Sequence, residues 1–182
     1  MSNVVVIYHS GYGHTKKQAE AVAEGAQADL IAIDANGDIT EADWATLDAA
    51  KAIIMGSPTY MGSVSWQFKK FADTSSKAWF TQKWKNKVFA GFTNSASMNG
   101  DKASTIQYLM TLAMQHSGVW VGTGLMPAST KANTRGDVNS LGGFSGALMA
   151  TPSDAGVDEV NIADLETAKL LGVRVAEFAA KA

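Results

Sequence analysis

The chain has 182 residues, no cysteine, and Lys+Arg 15 against Asp+Glu 17, a net charge of −2. A disulfide scaffold, thiolate metal sites and a cysteine nucleophile are therefore excluded, and the balance is too even for a nucleic-acid footprint. Hydrophobic residues make up 46%, enough for one ordinary domain over 1–182, and no apolar run approaches the roughly 20 residues that span a bilayer. Met1-Ser2-Asn3 carries neither a basic stretch nor a cleavage signal, so a cytoplasmic protein is expected.

The run Val4-Val5-Val6-Ile7-Tyr8 is apolar and β-branched, the pattern of a parallel strand buried on both faces. From His14 to Gln27, Ala19, Val22, Ala23 and Ala26 form a stripe of small residues, fit for a helix lying close on a sheet. Further strands are expected at 30–33, 51–56, 87–92 and 119–121. Val64, Phe68 and Phe71 mark a helix, and Ile106, Leu109, Met110, Ala113 and Met114 an amphipathic one. A closing helix carries Leu165, Ala168, Leu171, Val175 and Phe178, with Asn161 or Asp164 as its N-cap. Strands alternating with helices predict a parallel α/β sheet with right-handed crossovers. The stretch of about 122–158, rich in Gly, Ser, Thr and Asn, is too long for a passive connection.

In such a sheet, ligands bind beyond the carboxyl ends of the strands. Three loops there have unusual composition. The first, Ser10-Gly11-Tyr12-Gly13-His14-Thr15, leaves backbone N–H groups free at a helix N-terminus and so suits a phosphate. It lacks the Walker A lysine and glycine spacing. Lys16 replaces the third glycine of a dinucleotide fingerprint, although Asp34 lies where a ribose-binding acid would be; a terminal monophosphate fits better. The second, Gly56-Ser57 followed by Pro58-Thr59-Tyr60-Met61-Gly62-Ser63, combines a compact backbone with donors, acceptors and a ring. The third, Thr93-Asn94-Ser95-Ala96-Ser97-Met98-Asn99-Gly100, is small and polar. One loop for a phosphate and two for a planar ring describe a mononucleotide site. With three histidines and no clustered ligands, a metal site is not expected, and no Gly-x-Ser-x-Gly elbow supports a serine hydrolase. Lysines 69, 70, 83, 85 and 87 read as solvated surface, and Met98, Met110, Met114 and Met126 as core filler.

Over nearly its whole length the sequence resembles the flavodoxin-like proteins, and among them the WrbA-type NAD(P)H:quinone oxidoreductases. The resemblance rests on Ser10–Thr15, on Pro58–Ser63 with Ser65 and Gln67, on Trp79, and on Gly142-Gly143-Phe144-Ser145-Gly146-Ala147. It implies a three-layer sandwich around a five-stranded parallel sheet of order 2-1-3-4-5. It also implies FMN, with its phosphate on the first loop and its ring on the second and third. NADH or NADPH would deliver hydride to the flavin, and a quinone or similar acceptor would take two electrons; the residues bound to the ring supply orientation rather than acid–base chemistry. Trp79 corresponds to a tryptophan walling the substrate pocket and His116 to an active-site histidine, both as catalytic residues. The stretch 142–147 corresponds to a loop closing the pocket after strand five, and a homo-oligomer, dimer or tetramer, is implied. The alternative is an electron-carrier flavodoxin that binds FMN and turns over no substrate. The family's arginines in the second loop and before the double glycine are Tyr60 and Leu141 here.

Overall fold

The computed structural model describes residues 3–182; the reading of Met1 and Ser2 as a leaderless start lies outside the described residues. Strand β1 (Val4–Tyr8) leads into helix α1 (His14–Ala26), then β2 (Asp29–Ala32), α2 (Glu41–Ala49) and β3 (Ala52–Tyr60). A short β4 (Ser63–Val64) precedes α3 (Trp66–Thr74), α4 (Ser76–Phe80), β5 (Val88–Ser95) and α5 (Lys102–Gln115). The chain ends with β6 (Val119–Trp120), β7 (Ala147–Ala150) and α6 (Ile162–Ala179).

The sheet runs β2-β1-β3-β5-β6, with β4 on β3 and β7 on β5. Apart from the antiparallel β3–β4 pair, the pairings are parallel. Counted by position this is the expected 2-1-3-4-5 order, and the fold is flavodoxin-like. The fifth position differs from expectation because two segments share it. β6 pairs with Val88 and Phe89, and β7 with Phe92 to Ser95. The residues between, 121–146, form an excursion from the sheet edge. Hence Gly142–Ala147 does not follow strand five; it re-enters it.

Alternation along each strand feeds two layers. Val4, Val6 and Tyr8 meet the alanine stripe of α1 and Ala168, Leu171 and Val175 of α6. Val5 and Ile7 face the other way, toward Phe68, Phe71, Trp84 and Leu109. Helices α1 and α6 pack on glycines: a Cβ at Gly172 would lie 2.1 Å from the Val22 carbonyl oxygen, and one at Gly25 2.0 Å from that of Lys169. Only a residue without a side chain permits that approach.

Helix α2 went unread in the sequence because its apolar face is short. It is started instead by a capping box, Thr40 Oγ1 accepting from the Asp43 amide while Asp43 accepts from the Thr40 amide. Lys87 is not solvated. It is buried, and its ammonium donates to the carbonyls of Leu47, Asp48 (2.7 Å) and Ala50 at the end of α2, where the helix dipole favours a cation. Met98, Met114 and Met126 are exposed rather than core filler. No helix of the described residues is long and apolar enough to cross a membrane.

Candidate functional site

At the carboxyl edge of β1, β3, β5 and β7 lies a cleft of about 320 Å³, within the size range of small-molecule sites. Its walls include Tyr12, His14 and Thr15 of the first loop, Pro58, Thr59 and Tyr60 of the second, and Asn94, Ser95 and Ala96 of the third. The three segments singled out by composition therefore converge.

The first loop is shaped to leave amides open. Gly13 occupies the N-cap of α1 in the left-handed region (φ 92°) and offers no side-chain cap. The first-turn amides of His14 and Thr15 have no intrahelical carbonyl to bond. Ser10 Oγ accepts from the Gly13 and Lys16 amides, both at 3.1 Å, which rounds the loop and leaves the hydroxyl proton to be donated. Gly11 lies under Tyr60, whose Oη would be 2.5 Å from a Cβ there.

The second loop is a strand end rather than an irregular turn. β3 continues through Tyr60, reverses at Met61 (φ 49°) and Gly62 (φ 79°), and returns as β4. Positive φ at both turn residues matches the twist of a tight hairpin. Met61 and Ser63 do not line the cleft. They border an adjoining open groove of about 910 Å³ with Val64, Trp66 and Tyr108, which meets the cleft at Tyr60.

Thr93, Asn94 and Ser95 likewise belong to β5 and not to a loop. Thr93 is buried beneath the cleft, sharing a hydroxyl network with Thr59 and Thr105 at 2.8 Å each. Asn99 and Gly100 lie beyond the cleft wall, at the turn that starts α5.

A fourth wall escaped sequence reasoning. Thr151 and Ser153 line the cleft, and Thr151 Oγ1 donates to Asn94 Oδ1 at 3.1 Å. The segment is tied to the first loop: His14 Nε2 meets the Ala155 carbonyl oxygen at 2.9 Å, and Val157 packs where a Gly13 side chain would be. Its signal was the Pro-Ser-Asp-Ala-Gly turn composition after Thr151, legible only once 147–150 is known to be a strand.

Trp79 and His116, which the resemblance implies as catalytic residues, lie apart from the cleft residues. The two residues sit together at a separate hollow of about 270 Å³, and neither lines the cleft. His116 is 2% exposed, caps α5 through its backbone amide, pairs Nε2 with Ser75 Oγ at 2.9 Å and packs on the Trp84 ring at 4.5 Å. Burial pushes its pKa down to about 4. It is a core histidine. Trp79 is 45% exposed on the short helix α4.

The buried imidazole makes stability pH-dependent. The unfolded chain takes up its proton near pH 6.5 and the folded chain only near 4, so stability is full above about 6.5 and falls as pH drops toward 4. The expected loss is about 3 kcal/mol. Urea midpoints at pH 7 and 4.5 should differ less in His116→Gln than in the parent; an unchanged gap would contradict this assignment.

An FMN molecule is tested against these residues by its chemistry. Open helix amides, the Ser10 and Thr15 hydroxyls and the absence of any carboxylate among the cleft-lining residues suit a phosphate. Pro58, Tyr60 and Ala96 with Asn94, Thr59 and Thr151 suit a flat ring with polar edges. The residues fit.

A doubly wound sheet with a cleft at its carboxyl edge, entered by a helix N-terminus whose N-cap is a glycine, defines a flavodoxin-like protein. Residues 3–133 match the family of NADPH-dependent FMN reductases. Flavodoxin FldP of Pseudomonas aeruginosa is 57% identical over 98% of this chain and 97% of its own. An NAD(P)H dehydrogenase (quinone) of Rhizobium rhizogenes is 32% identical over 100% and 98%. The crystal structure of the flavodoxin, WrbA-like protein from Agrobacterium tumefaciens superposes with a TM-score of 0.83 at 54% identity, covering 100% of this chain and 99% of that one. The chain belongs to the flavodoxin-like, WrbA-type family of NADPH-dependent FMN reductases.

Proposed function

We propose that the protein is an FMN-binding oxidoreductase that passes two electrons from NADH or NADPH to a quinone or similar acceptor. The observation carrying this reading is the convergence of Thr15, Thr59, Tyr60, Asn94 and Thr151 on one cleft at the uncapped start of α1. Bound FMN would supply the two-electron chemistry. The chain's own residues hold and orient it. The amides of His14 and Thr15 with the Ser10 and Thr15 hydroxyls take the phosphate, Tyr12 and Tyr60 flank the opening with their rings 6.3 Å apart, and Asn94, Ser95 and Thr151 meet the polar ring edge. The groove beyond Tyr60, lined by Met61, Trp66 and Tyr108, gives a flat substrate room beside that opening.

The carrier reading keeps FMN and drops turnover. It is favoured by the relative named flavodoxin FldP and by the distance of Trp79 and His116 from the cleft; the groove beside the cleft and the near-neutral charge favour the enzyme. Mixing FMN-loaded protein with NAD(P)H and benzoquinone separates them. Repeated turnover is the expected result, and the absence of multiple turnover would favour the carrier. We further assign the protein to the cytoplasm as a homo-oligomer, with the exposed Trp79 and Phe80 as the contact to be mapped.

A further inference from the structure

Lys102 begins α5 and is 1% exposed. Its ammonium donates to the carbonyls of Ser97 (2.7 Å), Met98 (3.1 Å) and Asn99 (3.3 Å), and Ser95 Oγ donates to the same Ser97 carbonyl at 3.1 Å. Ser95 and Ala96, immediately before those carbonyls, line the cleft. The buried cation therefore stands one loop behind the cleft wall.

The dipole of α5 does not ask for a cation there. Lys87 makes the same three-carbonyl contact, but at a helix C-terminus, where a cation complements the dipole. Lys102 sits at the opposite, positive end of its helix. Lys102 makes no ion pair among the described residues, and Asp164, the carboxylate that acts on it, is already taken: it accepts from both Nη atoms of Arg135 and from the Ala150 amide. Burial lowers the Lys102 pKa to about 8, with Asp164 opposing and Arg135 adding to the effect. The group of Lys102, Arg135 and Asp164 thus leaves one positive charge uncompensated in the interior, and a negative charge entering nearby would be attracted to it.

We propose that Lys102 is a positioning residue of the flavin site, which clamps the 97–99 loop behind the cleft wall and favours the reduced, more negative form of bound FMN. This rests on the FMN reading above. The FMN-loaded parent, Lys102→Met, Lys102→Arg and Lys87→Met are compared by FMN affinity and by the two-electron midpoint potential. In Lys102→Met the affinity for reduced FMN should fall about tenfold relative to oxidised FMN, which is about 30 mV lower in midpoint potential. Lys102→Arg should keep the parent potential, as should Lys87→Met, which loses a structural lysine only. A parent-like potential in Lys102→Met, or a lowered one in Lys102→Arg, overturns the electrostatic role. Amide exchange of residues 96–101 without flavin tests the clamp: faster exchange in Lys102→Met is expected, and unchanged exchange refutes it. Failure of the parent to take up FMN defeats the flavin reading and the electrostatic role built on it, whereas the exchange result still decides the clamp.

Discussion

Thr15→Glu should abolish FMN binding while leaving the protein folded. Thr15 is buried in the cleft wall in the first turn of α1, where the open amides are assigned to the phosphate. A carboxylate there occupies the anion's place and repels it. Two like charges about 4 Å apart repel by about 4 kcal/mol at the effective dielectric of a partly exposed site, close to a thousandfold in affinity. An acidic residue in a first helical turn is favourable, which offsets part of the cost of burying a carboxylate at this buried position; a circular-dichroism melting curve checks that the variant is folded. Fluorescence titration with FMN measures the loss, and Thr15→Ser, which keeps the hydroxyl, should stay near the parent. Retained affinity in Thr15→Glu would displace the phosphate from α1.

Arg135→Met should cost stability and flavin affinity together. Arg135 lies in the 121–146 excursion, and its guanidinium engages both oxygens of Asp164, whose side chain is only 2% exposed. Removing one member of a buried pair leaves the other charge stranded, at a cost of 3–5 kcal/mol in comparable cases. The Arg135 side chain is 30% exposed, so about 3 kcal/mol is expected, a fall of roughly 6–12 °C in melting temperature for a domain of this size. Asp164 also holds the Ala150 amide at 3.0 Å, one residue before Thr151 in the cleft. Loosening it should therefore weaken FMN binding several-fold. The double variant Arg135→Met with Asp164→Leu should recover part of the stability, since neither member of the pair is then left without its partner. A melting temperature in Arg135→Met equal to the parent's would show that the pair carries no structural weight.

Much of the fold was legible because its signals are local. Four β-branched residues in a row, a run of small residues at helical spacing and a glycine loop between them specify a βα unit within about 25 residues. The cap of α6 was narrowed to Asn161 or Asp164, and it is Asn161, whose side chain accepts from the Asp164 amide at 3.1 Å. Of the candidate site, Tyr12, His14, Thr15, Pro58, Thr59, Tyr60, Asn94, Ser95 and Ala96 reach one cleft. Thr93 was read as loop because polar residues at a strand end look alike whether they leave the sheet or continue it, and pairing with Pro58 and its neighbours keeps this stretch in the sheet.

By itself the sequence determined the alternation of strands and helices, the uncapped glycine turn at α1, the lack of thiol chemistry and the near-neutral charge, all consequences of residue type and short spacing. Only the tertiary structure decided that 147–150 completes the fifth strand position, which turns 151–157 into a cleft wall. It alone placed His116 against Trp84 in the core and set Lys102 behind the third loop. The strand completion and the His116 placement hang on contacts between residues tens of positions apart, where burial and partner geometry, not local propensity, choose the arrangement of lowest free energy.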